Sequence, residues 1–232
     1  MENNKAKVTF QTPVIVGVLK AVKAFASTDS TRAYLNRLCI EKGAEGKIKV
    51  CATDGHTLCL VTADQIESDL KNAGTRYELT MPEIDVILAR TKSKPPTLTI
   101  ELNEEQSKFP PYEQVIPAND GTKPVKPYNF GVNASYLARL DTVARALRVG
   151  NGGATLRFGE TNLDAVCADI SGEYGEAIVV IMPIESVIMS KSHTHEVWIK
   201  LPDGHEFVAG KAWTLEQAQY IRAQLVSCAK KA

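Results

Sequence analysis

The sequence predicts an α+β fold with helices on one face of antiparallel sheets. Three observations carry this. Four capped stretches have helical apolar spacing, short alternating stretches flank Asp-Gly turns, and a strand, a helix and further strands recur in that order.

In the first helical stretch Thr12 is a capping residue and Pro13 suits the opening turn. Ile15, Val18, Leu19, Val22, Phe25 and Ala26 follow i, i+3, i+4 spacing, with Lys20 and Lys23 off the stripe. In the second, Thr80 precedes Met81-Pro82, and Ile84, Ile87 and Leu88 form the stripe. It runs into Arg90, Lys92 and Lys94 before Pro95-Pro96 stops it. In the third, Asn133 caps, Leu137, Leu140, Val143, Ala144 and Leu147 face inward, and Gly150 is the expected terminator. In the fourth, Thr214 and Gln217 form a capping box ahead of Ala218, Ile221, Leu225 and Cys228.

Strands are expected at 47–52 and 57–62, flanking the hairpin signal Asp54-Gly55, and at 97–102. Another is expected at 154–158, between turns at Asn151-Gly152 and Gly159 to Asn162. The apolar run 177–182 reads as a central strand, and 197–201 with 206–208 as a hairpin around Asp203-Gly204. Phe10, Tyr77, Phe130 and Phe207 each precede a helix, which makes a degenerate strand–helix–strands repeat. The Pro-rich stretch Pro110 to Pro127 reads as a linker, giving a first domain over 1–118 and a second over 128–232.

The chain has 232 residues, with 27 Lys plus Arg against 27 Asp plus Glu. Zero net charge excludes a histone-like basic binder and an acidic disordered tail. Nucleic-acid binding then requires charges that are sorted in space. They are sorted along the sequence. Lys20, Lys23, Arg32 and Arg37 stand against Asp29 around the first helix, and Arg139, Arg145 and Arg148 against Asp141 in the third. Arg222, Lys230 and Lys231 stand against Glu216 in the fourth. The stretch 159–176 holds Glu160, Asp164, Asp169, Glu173 and Glu176 with no Lys or Arg, and Glu101, Glu104 and Glu105 add to the acidic side. Helices facing a polyanion, with sheets facing away, would have this pattern.

No apolar run reaches the roughly 18 residues of a membrane span, and no apolar segment follows Met1-Glu2-Asn3-Asn4-Lys5 as a secretory signal requires. The five cysteines, Cys39, Cys51, Cys59, Cys167 and Cys228, form no C-x-x-C pair. They read as reduced core thiols of a cytoplasmic protein, with Cys51 and Cys59 on adjoining hairpin strands. No nucleophile motif accompanies Asp54 and His56, and His193-Thr194-His195 has no third ligand at metal spacing. Gly210-Lys211 lacks the rest of a phosphate loop, and Gly150 to Gly153 fails the dinucleotide pattern. Trp213 is a staple before the fourth helix. The expectation is a protein that is not an enzyme and has no cofactor or metal.

Four stretches carry a family resemblance. They are Arg32-Ala33-Tyr34-Leu35-Asn36, Ala52 to Leu58, Phe109 to Pro117, and Val179-Val180-Ile181-Met182-Pro183-Ile184. In this order they resemble the R-x-Y-L-N, A-T-D-G-H-R-L, F-P-D-Y-R-R-V-I-P and V-V-M-P-M stretches of the bacterial DNA polymerase III beta sliding clamp. Phe130 to Leu140 resembles that family's F-x-V-N-x-x-Y-L-x-x-L helix entry, so the likeness covers about residues 8 to 185.

The resemblance implies a DNA-clamp-like fold of strand–helix–strands units, with helices lining a hole for duplex DNA and sheets outside. The first domain would resemble the clamp's middle domain. The second would resemble the end of the last domain to about residue 185, followed by an unassigned hairpin–helix extension over 190–232. The implied function is a sliding clamp, a processivity factor that holds DNA without sequence preference and tethers a replicative polymerase. The implied partners are double-stranded DNA and short linear peptides of the polymerase and the clamp loader. The implied pocket is lined by Leu35, Thr53, Gly55, His56, Leu58, Pro110, Val115, Val180, Met182, Pro183 and Ile184. The helical cations Lys20, Lys23, Arg90, Lys92, Arg139, Arg145, Arg148 and Arg222 would face phosphate.

This sequence departs from the family pattern where Thr57 replaces Arg, and where Pro111, Glu113 and Gln114 replace Asp, Arg and Arg. Glu185 stands where Arg often follows, so the pocket rim is less basic. The chain is also shorter than the family's three-domain dimeric subunits. If 197–225 supplies a fourth unit, the expectation is a homo-oligomeric ring of the trimeric kind that two-domain clamps form. The alternative is an interaction or regulatory protein that binds clamp partners without forming a ring.

Overall fold

The computed structural model describes residues 5–71, 74–103, 109–117, 132–158 and 164–183, and the strand backbones 195–200 and 206–212. The chain forms two compact units, Met1–Ile184 and Glu185–Ala232. The boundary expected near 118–128 therefore falls inside the first unit.

The chain opens with β1 (Lys5–Gln11), where Ala6, Val8 and Phe10 alternate inward. Helix α1 (Thr12–Lys23) follows directly. Gln11, not Thr12, is its N-cap; Thr12 is the first helical residue, with its hydroxyl buried and unpartnered. Pro13 still occupies the opening turn, where its missing N–H costs nothing. Next come β2 (Arg37–Lys42), β3 (Ile48–Thr53), β4 (Thr57–Ala63) and the short β5 (Glu67–Ser68). Strand β6 (Arg76–Thr80) leads into α2 (Met81–Arg90). The Glu83 carboxylate accepts the backbone N–H of Thr80 at 2.8 Å and its hydroxyl at 2.7 Å, tying down the helix start. Then follow β7 (Thr97–Asn103) and α3 (Ala134–Ala146), in which Asn133 caps the Ser135 N–H at 3.0 Å. Strands β8 (Thr155–Arg157), β9 (Val166–Gly172) and β10 (Gly175–Ile181) complete this unit.

Helix α3 ends earlier than Gly150 because Arg148 takes the left-handed conformation, φ 55°. Its side chain lies over the Tyr174 ring, 5.1 Å from the centroid.

All strand pairs among the described residues are antiparallel. A seven-stranded sheet runs β6-β2-β3-β4-β10-β9-β8, and a three-stranded sheet runs β5-β1-β7. Strand β10 is central, as its apolar run implied. It pairs Val180 with Leu58 of β4 and with Cys167 of β9. The period of two sorts the large sheet into two faces. Ile40, Val50, Val61, Ala168 and Val179 face the main core with α1, α3, β1 and β7. Cys39, Cys51, Leu58, Leu60, Cys167 and Val180 face the other side, covered by Phe109 and Tyr112. Cys51 and Cys59 are on adjoining strands, as expected, but on opposite faces.

In the second unit, β11 (His195–Lys200) and β12 (Glu206–Ala212) form a two-stranded antiparallel hairpin with a register shift between Val197 and Trp198. The fourth helix expected at 214–228 lies outside the described residues. Among the described residues no helix is long and apolar enough to cross a membrane.

Candidate partner-binding surface and helical cations

The tight turn between β3 and β4 is built by its own side chains. The Thr53 hydroxyl donates to the Thr57 carbonyl at 2.7 Å and accepts the Gly55 N–H at 3.1 Å. Asp54 Oδ1 accepts the backbone N–H groups of His56 at 2.9 Å and Thr57 at 2.7 Å, an Asx-type closure. Gly55 has φ 89°, a conformation that disfavours a side chain. A Cβ there would also lie 3.3 Å from Arg32 Nη1 and 3.8 Å from Leu35 Cδ1. Asp54 binds the backbone of His56, not its ring, so this pair is structural.

Helix α3 approaches the same turn. Arg139 Nη1 reaches Asp54 Oδ2 and Thr57 Oγ1, each at 2.6 Å. Burial raises the Asp54 pKa, but the Arg139 hydrogen bond and those of His56 and Thr57 outweigh it. They hold the carboxyl below its usual range. The Tyr136 ring stacks on His56 with centroids 6.5 Å apart. The end of β10 meets the turn where Met182 donates its N–H to the His56 carbonyl at 2.9 Å.

These contacts bring together four of the stretches singled out in the sequence. Leu35, Thr53, Gly55, His56 and Met182 surround the turn. Leu58 and Val180 lie buried beside it in the second core. Tyr34 and Met182 are large apolar side chains left 44% and 42% exposed. Tyr34 was not among the expected lining residues, although it sits inside the same motif as Leu35.

Pro110 and Val115 belong to the segment 109–117 that covers the second face of the sheet, and Val115 is exposed. This segment is fastened by buried Phe109 and Tyr112. The Tyr112 hydroxyl donates to Glu41, and Arg76 grips both oxygens of Glu113 at 2.6 and 2.8 Å. Pro183 is partly exposed at the end of β10, and Ile184 lies outside the described residues.

Fold and motif geometry together point to one architecture among known structures. No protein-family model matches the sequence, and no curated protein matches it. The beta sliding clamp of Caulobacter crescentus superposes with a TM-score of 0.61 at 17% identity, covering 79% of this chain and 67% of that one. The DNA polymerase sliding clamp of Pseudomonas aeruginosa gives 0.57 at 15% identity, covering 77% and 65%. The beta clamp of Helicobacter pylori gives 0.58 at 12% identity, covering 77% and 66%.

The chain has the sliding-clamp fold.

Within this sliding-clamp fold the expected phosphate-facing cations divide in two. Lys20, Arg90 and Lys92 are exposed and have no carboxylate partner among the described residues. Lys23 pairs with Asp85 of α2, Arg145 with Asp141 at 2.8 Å, and Arg148 with Glu173 at 3.5 Å. Arg139 is turned inward to Asp54, and Arg222 lies outside the described residues. The acidic stretch is also less bare than its local sequence implied. Arg157 pairs with Asp169 and Arg148 with Glu173, because neighbouring elements supply the cations that the stretch lacks.

Proposed function

We propose that this protein is a DNA sliding clamp. It holds duplex DNA without sequence preference and tethers a replication partner, a polymerase or clamp loader, by a short peptide bound at the 53–57 turn. The observation that carries this reading is the convergence of Leu35, Thr53, Gly55, His56 and Met182 on one turn of a sliding-clamp fold, with Tyr34, next to Leu35 in the chain, left exposed. An apolar surface edged by a few polar groups suits Leu or Phe anchors of an extended peptide.

Lys20, Arg90 and Lys92 are the phosphate-facing cations of this reading, with Lys23, Arg145 and Arg148 beside them. The Arg145 and Arg148 pairs are exposed, and such pairs are worth at most about 1 kcal/mol, so phosphate competes with them readily. The active form is a homo-oligomeric ring, and the protein is not an enzyme.

The test is retention on nicked circular plasmid against the same plasmid linearised, after loading. Retention on the circle with loss from free ends supports the ring. Equal retention on both overturns it.

A second reading is favoured by the carboxylate partners of Lys23, Arg139, Arg145 and Arg148. In it the protein binds the same peptides without enclosing DNA and competes for clamp partners. Peptide binding together with equal retention on both plasmids is its signature.

A further inference from the structure

One side chain from a distant helix fastens the 53–57 turn. Asp54 uses Oδ1 for the turn's own N–H groups and Oδ2 for Arg139. The same Arg139 nitrogen donates to Thr57 Oγ1, whose hydroxyl donates onward to Asp54 at 3.0 Å. The guanidinium lies over two rings, with centroids 5.5 Å away for Phe25 and 5.1 Å for Tyr136. Tyr136 in turn stacks on His56. A planar cation can satisfy a carboxylate, a hydroxyl and two aromatic faces together, whereas an ammonium cannot stack this way.

The consequence is mechanical. Its Asp54 partner neutralises Arg139, whose side chain is only 27% exposed, so it is poorly disposed toward phosphate. What it does instead is join the segment just after α1, helix α3 and the turn through Phe25, Tyr136 and Asp54. The turn carries Thr53, Gly55 and His56, and His56 receives the end of β10 through Met182. Thr57 stands where the resembled motif has Arg; here a guanidinium reaches that point from α3.

We infer that Arg139 is the positioning residue of the partner-binding surface, holding the 53–57 turn in its peptide-accepting form. This rests on the peptide-binding reading above. A surface ordered before binding loses less entropy when a peptide docks.

The test uses the full chain and a short fluorescein-labelled peptide carrying Leu and Phe anchors, with affinity read by fluorescence anisotropy well below every variant's melting temperature. Arg139→Met keeps the aliphatic stem and removes the guanidinium. It should weaken binding on the order of tenfold, and Arg139→Lys should restore part of the loss. Asp54→Asn should weaken binding too, and the double variant should be no worse than the larger single effect, since both act through one contact. Amide exchange in ligand-free Arg139→Met should quicken at Gly55 and His56 more than in the β3 and β4 strands. Wild-type protein that does not bind the peptide overturns the peptide-binding reading itself. Wild-type binding with unchanged affinity in Arg139→Met, or unchanged exchange at the turn, overturns the role of Arg139 alone.

Discussion

Gly17 of α1 lies against the carbonyl oxygen of Ala146 in α3, so closely that a Cβ on Gly17 would fall 2.5 Å from that oxygen and 2.8 Å from Tyr174 Cδ2. At this point the two helices meet backbone to backbone. Replacing a helical glycine by alanine ordinarily stabilises by about 1 kcal/mol. Here the sign should reverse. Gly17→Ala should lower stability by about 1–3 kcal/mol, because the helices must separate to admit one methyl group. Urea unfolding checks it, and a variant as stable as wild type would contradict the close approach.

The fastening of segment 109–117 can be tested at Tyr112. Its hydroxyl is bonded to Glu41, a carboxylate whose side chain is only 6% exposed and whose cations, Arg76 and Lys49, stand off at 3.6 and 3.7 Å. Tyr112→Phe keeps the ring in the core but removes that donor. A loss of about 1–3 kcal/mol follows from leaving a buried acceptor short of a partner. Thermal melting measures the loss, and proteolysis near 109–117 should quicken with it. An unaltered melting temperature would mean that water or another group replaces the hydroxyl at no cost.

Asp54 sets an acid limit. Its folded-state pKa is depressed, so its contribution is fully present above the unfolded value of about 4 and is lost as pH falls through the lower folded value. Wild type should therefore exceed Asp54→Asn in stability at neutral pH, and the gap should narrow as pH drops below about 4. Urea midpoints of both proteins across that range decide the point. A gap that stays constant with pH would exclude the ionised Asp54–Arg139 pair as its source.

The described cysteines should be chemically quiet. Burial pushes the Cys39 thiol up to about 12, and burial also raises Cys51, Cys59 and Cys167. Cys39 and Cys51 face each other across β2 and β3 as free thiols. Iodoacetamide at neutral pH should label none of the four until the protein unfolds, as read by peptide mass mapping. Rapid native labelling of Cys39 or Cys51 would mean that segment 109–117 opens readily.

Much of this fold is legible in the sequence because local signals agree with tertiary ones. The Asn133 cap, the start of α2 after Thr80, the Asp54-Gly55 hairpin and the apolar run of β10 each form as their chemistry predicts. Two helix boundaries differ for local reasons: Gln11 rather than Thr12 caps α1, and Arg148 rather than Gly150 takes the left-handed position after α3. What the sequence could not display is pairing at a distance. Arg139 reads as one more basic residue off a helical stripe. Only the folded chain brings it to Asp54 and withdraws it from the solvent-facing set. Cys39 opposite Cys51, and Arg157 beside Asp169, are likewise products of strand register, which no local pattern fixes. The motifs already placed Leu35, Gly55, His56 and Met182 together, whereas nothing local pointed to Arg139 reaching the turn.

The pairing of β4 with β10 has a kinetic consequence. These adjacent strands in the middle of the large sheet lie more than a hundred positions apart in the chain. Closing so long a loop is the slowest kind of step in assembling a sheet. During synthesis β4 emerges early and waits with one edge unpaired until β10 arrives. An apolar edge left open in that interval is where a nascent chain is most exposed to aggregation. Expression yield should therefore depend more on the speed with which β10 docks than on the stability the finished molecule attains.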